Sequence, residues 1–512
     1  MPALARDATV AIFGAGAMGA GIAQVAAQAG HRVQLFDARI GAVDEARRRL
    51  AETFATLASR GKMSEADARA ATGRLETIHA VGDAVSARLV IEAIVEDLDA
   101  KRELFRQLEV VVAPQTILAT NTSSLSVTAL SAGARHPARV VGMHFFNPAP
   151  LLPLVEVVSG LATDPAVAQT VYDTAVAWGK VPVHARSTPG FIVNRCARPF
   201  YAEALRLYAE RAADPATIDA VMREAGGFRM GPFELMDLIG HDVNFSVTRS
   251  VWEGYFRDPR FTPSIHQQAL VDAGMLGRKS GRGFYDYSVD AVRPEPATEP
   301  PRVVPDRLVA FGELGRASQL VDRIAAMGAP IERRERHPAI PDGVIAAGGA
   351  LLAPTDGRTA TRRAAESGAR DLVVFDVALD YHACTRLAVA RADSCSDAAF
   401  GAAIGALQSA GLHVSTIDDA AGLVVARTVA MLANEAADAV QQGIASAADV
   451  DIAMKKGVNY PLGPLEWADA IGCARVRDIL VNLQAHYGDP RYRVAPLIAR
   501  RCATGGRLVP ER

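Results

Sequence analysis

Apolar positions fall into two regimes along the chain. In the first 186 residues they form short runs that suit buried strands: Thr9–Phe13, His31–Asp37, Leu89–Ile94, Ile117–Thr120, Val140–Phe146 and Leu154–Val158. Polar residues close several of these runs, as at Glu96 and across Asn121–Ser124. In open α/β sheets the carboxyl ends of strands face the ligand crevice, so these residues are placed for chemistry. After Gly190 the pattern turns helical. Phe191–Ala212 predicts one long helix, and Ala216–Glu224 and Phe233–Ile239 predict shorter ones. The next strand-like run is Gly283–Tyr287. Prolines 294, 296, 300, 301 and 305 then predict a semi-rigid linker. A second strand-bearing stretch follows, with Asp371–Phe375 as its clearest run.

The helical segment occurs twice. Displaced by 232 residues without gaps, Gly190–Gly240 falls on Gly422–Gly472. Arg195 meets Arg427, Glu203 meets Glu435, Asp219 meets Asp451, and Gly231-Pro232-x-Glu234 meets Gly463-Pro464-x-Glu466. In the same register His144 falls on Asp376, Glu156 on Ala388 and Asn194 on Ala426. Only the first copy carries a full polar set, which predicts one active site and one structural copy. The expected fold is an α/β Rossmann domain, an all-α domain, a reduced Rossmann-like α/β unit and a second all-α domain. The boundaries are 1–186, 187–292, a linker at 293–310, then 311–415 and 416–512.

Composition narrows the classes further. The chain has 512 residues and a formal net charge of −2, which disfavours a nucleic-acid partner. No apolar run reaches the length of a membrane span, and Met1–Thr9 is too short and polar for a signal peptide. Five dispersed cysteines without metal-ligand spacing predict reduced thiols, no metal and a cytoplasmic protein.

The strongest local signal is Gly14-Ala15-Gly16-Ala17-Met18-Gly19 between a strand and a helix, with Asp37 closing the next strand. Gly14 allows the tight turn, Gly16 lets the backbone approach a pyrophosphate, and Gly19 lets helix and strand pack closely. The helix N-terminus offers free N–H groups to the diphosphate. Asp37 would accept from the adenosine ribose hydroxyls and repel a 2′-phosphate, which favours NAD over NADP; Arg39 nearby weighs the other way.

Together with Glu92-Ala-Ile-Val-Glu96, Asn121-Thr-Ser-Ser124, His144-Phe-Phe-Asn-Pro148, Leu154-Val-Glu-Val157, Thr188-Pro-Gly-Phe-Ile-Val-Asn-Arg195, Gly231-Pro-Phe and Gly277-Arg-Lys-Ser-Gly-Arg-Gly-Phe284, this loop resembles the 3-hydroxyacyl-CoA dehydrogenases over about residues 1–290. The linked second half is similar to the long bacterial form, of the 3-hydroxyadipyl-CoA or 3-hydroxybutyryl-CoA type associated with aromatic-acid breakdown. The resemblance implies NAD as cofactor and an acyl-CoA thioester as substrate. It makes His144 the base and Glu156 its partner, with Ser123 and Asn194 on the substrate oxygens and Asn147 holding the histidine region. Asn194 would bring the site to a cleft between domains. Glu96, Lys101, Asn121 and Lys279 match cofactor positions, although Lys101 and Lys279 also read as solvated surface charge. Arg195, Arg198 and Arg229 are candidates to meet a carboxylate at the far end of an acyl chain. A sugar-acid dehydrogenase of the L-gulonate type is the rival enzyme.

In short relatives the helical domain is the dimer contact. Here Gly422–Gly472 is expected to dock on Gly190–Gly240 as an internal pseudo-dimer, and the whole chain could also be a homodimer.

Overall fold

The computed structural model describes residues 2–337 and 340–509; the outermost residues of the first and last expected domains, Met1 and 510–512, lie outside them. Two compact units emerge. One comprises Met1–Arg195 with Gln442–Val458, the other Cys196–Gln441 with Asn459–Arg512.

The first unit is built on an eight-stranded sheet. Its strands are β1 (Thr9–Phe13), β2 (Arg32–Phe36), β3 (Leu75–Thr77), β4 (Ala87–Glu92), β5 (Ile117–Thr120), β6 (Val140–Phe145), β7 (Leu154–Ser159) and β8 (Val181–Arg186). The spatial order is β3-β2-β1-β4-β5-β6-β7-β8. Every pairing is parallel except β6 with β7. β1 is buried along its whole length, which is why it is apolar throughout rather than alternating. β3 and β8 escaped the sequence reading: β3 has three residues, and β8 (Val-Pro-Val-His-Ala-Arg) is interrupted by proline and histidine. The helix Ala447–Gly457, contributed by the distant second half, packs against β7 and β8.

The expected long helix breaks. Helical residues run Val193–Cys196 and then Arg198–Ala209, with Pro199 in the first turn of the second piece, where a missing N–H costs nothing. The expected strand at Gly283–Tyr287 is absent. The Phe284 and Tyr285 N–H groups donate to the Asp237 carboxylate at 3.0 and 2.9 Å instead of to a neighbouring strand, leaving two isolated bridges at Gly277–Arg282 and Arg282–Asp286. The proline-rich segment lies along the unit, with the Glu299 N–H on the Val414 carbonyl (2.8 Å) and the Arg302 N–H on Gln408 (2.8 Å).

A seven-stranded mixed sheet fills the middle of the second unit. Its strands are β9 (Leu308–Phe311), β10 (Ile331–Arg334), β11 (Val344–Ala347), β12 (Ala350–Pro354), β13 (Leu372–Phe375), β14 (Arg386–Arg391) and β15 (His413–Thr416). The order is β10-β9-β11-β12-β13-β14-β15. The run β12 to β15 pairs parallel, antiparallel, parallel, as β5 to β8 do. β7 and β14 are separated by the same 232 residues as the helical repeat. The duplication therefore reaches back into the sheet. What the second copy lacks is the glycine loop: β9 and β10 pair in parallel as β1 and β2 do, but no G-x-G-x-x-G follows β9, and β9 pairs antiparallel with β11.

Within the second unit the two helical copies meet reciprocally. Arg427 and the Tyr492 hydroxyl reach Glu203 at 2.8 and 2.9 Å, while Arg260 reaches Glu435 at 3.1 Å. Positions 203 and 435, and 260 and 492, are equivalent in the repeat, so each copy meets the other with the same patch, as a two-fold contact requires.

Candidate active site

The glycine loop has the geometry its sequence predicts. Gly14 sits at φ +105°, and a Cβ there would lie 2.4 Å from the Ala93 carbonyl oxygen. A Cβ on Gly19 would lie 1.8 Å from the Gly14 oxygen, so helix and loop approach to a distance only glycine permits. Gly16 differs: no atom lies within 4 Å of its would-be Cβ, which leaves open space over the start of the helix Ala17–Ala29. No side chain caps that helix. Met18 is half-buried there. An uncapped N-terminus beneath open space fits a diphosphate. Asp37 is drawn toward the same loop, its Oδ2 accepting from the Ala15 N–H at 2.7 Å and its Oδ1 from the Arg39 N–H at 2.8 Å. The Arg39 guanidinium is turned to Glu45 at 2.9 Å and does not stand as a free phosphate ligand.

Beside the loop lies a buried charge cluster. Lys101 is 1% exposed, so its reading as solvated surface charge fails. Its Nζ contacts Glu92 at 2.7 Å and Glu96 at 3.3 Å. Burial pushes the Glu92 carboxyl above its ordinary range, and the Lys101 ammonium opposes that. Burial also raises Glu96, but hydrogen bonds from Thr122, the charge of Lys101, and further donors at Ser124 and Ser123 together carry it below its ordinary value. Glu96 Oε1 accepts from the Thr122 hydroxyl (2.6 Å) and the Ser123 N–H (3.1 Å). It thereby fixes the turn that carries Ser123. Asn121 accepts from the Phe145 N–H at 2.9 Å and ties that turn to the end of β6.

The antiparallel register of β6 and β7 sets His144 opposite Glu156. Glu156 Oε2 lies 2.7 Å from His144 Nδ1, with Glu156 fully buried and His144 5% exposed. A carboxylate can only accept, so Nδ1 carries the proton and Nε2 is left with its lone pair. Glu156 Oε1 accepts from the Ile192 and Val193 N–H groups at 3.0 and 2.9 Å. Phe146 and Phe191 stand beside the imidazole at centroid distances of 4.5 and 5.8 Å. Asn194 Nδ2 donates to the Ser123 carbonyl at 3.3 Å. His144, Glu156, Ser123 and Asn194 thus all belong to the first unit. Asn147 is exposed, two residues beyond β6, and it is Asn121 that fastens the strand end. Lys279 belongs to the second unit, where it pairs with Asp242 at 2.7 Å.

The second copy preserves part of this arrangement. Asp376, at the position of His144, accepts from the Val424, Val425 and Ala426 N–H groups at 2.9, 2.7 and 2.9 Å. A buried carboxylate still holds the turn, but no histidine is present to be oriented. Burial pushes the Asp376 carboxyl up to about 6, and the backbone donors oppose that.

Two features of the site were not read from the sequence. One is the Glu92–Lys101 pair, signalled only by a glutamate inside an apolar strand run. The other is the second half's share in the catalytic unit: Gln442 Oε1 accepts from buried Arg195 at 2.8 Å, and Gly457 sits against Leu154 and Val193.

Among the described residues no group of side chains could hold a metal ion, and no helix is long and apolar enough to cross a membrane. Residues 9–188 match the NAD binding domain of the 3-hydroxyacyl-CoA dehydrogenases. Residues 190–287 and 422–508 both match their C-terminal domain. Residues 352–420 match the 3-hydroxybutyryl-CoA dehydrogenase reduced Rossmann-fold domain. The chain is 43% identical to a 3-hydroxyadipyl-CoA dehydrogenase of Escherichia coli K12, over 96% of this chain and 97% of that one. It is 41% identical to a probable 3-hydroxybutyryl-CoA dehydrogenase of Bacillus subtilis 168, over 54% of this chain and 96% of the relative. A crystal structure of 3-hydroxybutyryl-CoA dehydrogenase from E. coli K12 superimposes with a TM-score of 0.88 at 42% identity, covering 97% of this chain and 98% of that one. The glycine loop, the His–Glu pair and these matches agree: the chain belongs to the 3-hydroxyacyl-CoA dehydrogenase family, as an NAD-dependent enzyme acting on 3-hydroxyacyl-CoA.

Proposed function

We propose that His144 takes the hydroxyl proton of an (S)-3-hydroxyacyl-CoA on Nε2, and that Glu156 keeps the imidazole in the tautomer that can do so. The observation that carries this is the 2.7 Å contact between Nδ1 and a carboxylate whose other oxygen is fixed by two backbone donors. The imidazolium formed is stabilised by the buried charge beside it. Histidine serves both directions near neutral pH. Ser123 and Asn194 position the hydroxyl and thioester oxygens. Asn147 has no such support, and the structural role assigned to it passes to Asn121. NAD, when bound, supplies the hydride acceptor, and Gly14, Gly16, Ala17, Met18, Gly19 and Asp37 would hold it, with Glu96, Lys101 and Asn121 supporting the adjoining turn.

We further infer a 3-hydroxyacyl chain ending in a carboxylate, of the 3-hydroxyadipyl type, in aromatic-acid (phenylacetate) breakdown. Similarity along nearly the whole chain to a 3-hydroxyadipyl-CoA dehydrogenase supports this. The 3-hydroxybutyryl thioester is the second reading, favoured by the superimposed structure. A sugar-acid substrate finds less support, because the polar set follows the thioester family. Five dispersed cysteines without metal-ligand spacing suit a reducing cytoplasm. Comparing kcat/KM for 3-hydroxybutyryl-, 3-hydroxyhexanoyl- and 3-hydroxyadipyl-CoA tests the choice. A preference for 3-hydroxyadipyl-CoA is expected, and a preference for 3-hydroxybutyryl-CoA overturns it.

A further inference from the structure

The second unit contains a cavity of about 230 Å³ whose wall includes one cation without an anion among the described residues. Arg198 is 5% exposed. Its Nη1 donates to the Thr248 hydroxyl at 3.0 Å and approaches the Asn244 carbonyl at 3.5 Å. Its Nε is buried with no hydrogen-bond partner, and its Cζ stands 4.9 Å from the Tyr201 ring centre. Comparably buried arginines are treated differently. Arg427 meets Glu203 and Glu210, Arg260 meets Glu435 and Asp438, Arg139 meets Glu109, and Arg386 meets Glu224. An unpaired buried guanidinium is costly, and folded proteins supply it with a counter-charge.

The other cations on the wall, Arg206 and Arg491, are neutralised by Glu203 and Asp489. Among the described residues the cavity therefore holds one uncompensated positive charge, at Arg198. Thr262, Ser264 and His266 also line it and can donate to an anion. Leu205, Ala209, Pro263 and Ile265 make much of the remaining wall apolar, which suits the aliphatic body of a small carboxylate better than a bare tetrahedral anion. We propose that this cavity binds a small aliphatic carboxylate through Arg198. Burial also holds the Arg198 pKa below its ordinary value. The site does not rest on the choice of acyl substrate.

The test is calorimetric titration of the full chain with succinate and, separately, with inorganic phosphate, on the native protein, Arg198→Met and Arg198→Lys. Succinate should bind the native protein more tightly than phosphate. It should bind Arg198→Met at least roughly tenfold more weakly, the size of a lost charge-assisted hydrogen bond. Arg198→Lys, which keeps the charge but loses the fork, should fall between them. Without ligand, Arg198→Met should melt no lower than the native chain, because it removes an unpaired charge. The proposal is overturned if succinate does not bind the native chain, if the three proteins bind it equally, if phosphate binds as tightly as succinate, or if ligand-free Arg198→Met melts well below native.

Discussion

Replacing Glu156 with glutamine should disable the enzyme while leaving it folded, and the hydrogen bonds say why. Glu156 uses one oxygen for the Ile192 and Val193 N–H groups and the other for His144 Nδ1. Glutamine has a single acceptor oxygen. Turned so that its NH2 faces the two backbone donors, it would strand both, at about 1–3 kcal/mol each. Turned the other way it keeps them and presents its NH2 to Nδ1. The second arrangement wins. Nδ1 must then accept, the ring proton moves to Nε2, and the atom that should take the substrate proton already holds one. A histidine held in the wrong tautomer loses about 10⁴ in turnover, roughly 5 kcal/mol of barrier. The glycine loop is untouched, so the KM for NAD should stay near native. The assay is the initial rate of NADH formation from (S)-3-hydroxybutyryl-CoA, with the melting temperature measured alongside. A kcat within threefold of native would refute the dyad, and so would a loss explained entirely by unfolding.

Other consequences follow from single contacts. A Cβ at Gly457 would lie 2.6 Å from Leu154 Cδ2 and 3.2 Å from Val193 Cγ2, so Gly457→Leu should cost about 1–3 kcal/mol by overpacking and lower kcat by disturbing the turn that holds Glu156. Native melting and native kcat in that variant would contradict a catalytic unit completed by the second half. Asp37→Ser removes the carboxylate that repels a 2′-phosphate and frees the Ala15 N–H, so the NAD/NADP ratio of kcat/KM should fall roughly tenfold or more. An unchanged ratio would show that Asp37 does not set the preference. A chain ending after residue 298 leaves Glu203 buried without Arg427 and Tyr492, and strips the helix Ala447–Gly457 from β7 and β8. Light scattering should find it dimeric or aggregated; a stable, fully active monomer would refute the packing role.

Much of the catalytic unit was legible because its signals are local. The glycine loop, the apolar strand β1 and the His144/Glu156 spacing each lie within one element or one hairpin. What escaped depends on distant partners. Gly283–Tyr287 alternates like a strand, yet its N–H groups are taken by Asp237, far away in sequence. Lys101 looks like any helix-surface lysine until the fold places it over Glu92. The repeat was visible in the helices through its glycine, proline and carboxylate positions. The same register gave the second half a reduced α/β unit; the pairing pattern that β12–β15 share with β5–β8 was not visible, because buried strands need burial and pairing rather than particular side chains. That Ala447–Gly457 would share a unit with the first sheet has no signature in its own residues.

The most direct test of the account is the single-turnover rate of His144→Ala, under saturating NAD and (S)-3-hydroxybutyryl-CoA. Removing the base should cut NADH formation by at least the roughly 10²–10⁴-fold that such a catalyst contributes, with NAD affinity unchanged. A near-native rate would contradict the assignment of His144 as the group that takes the substrate proton.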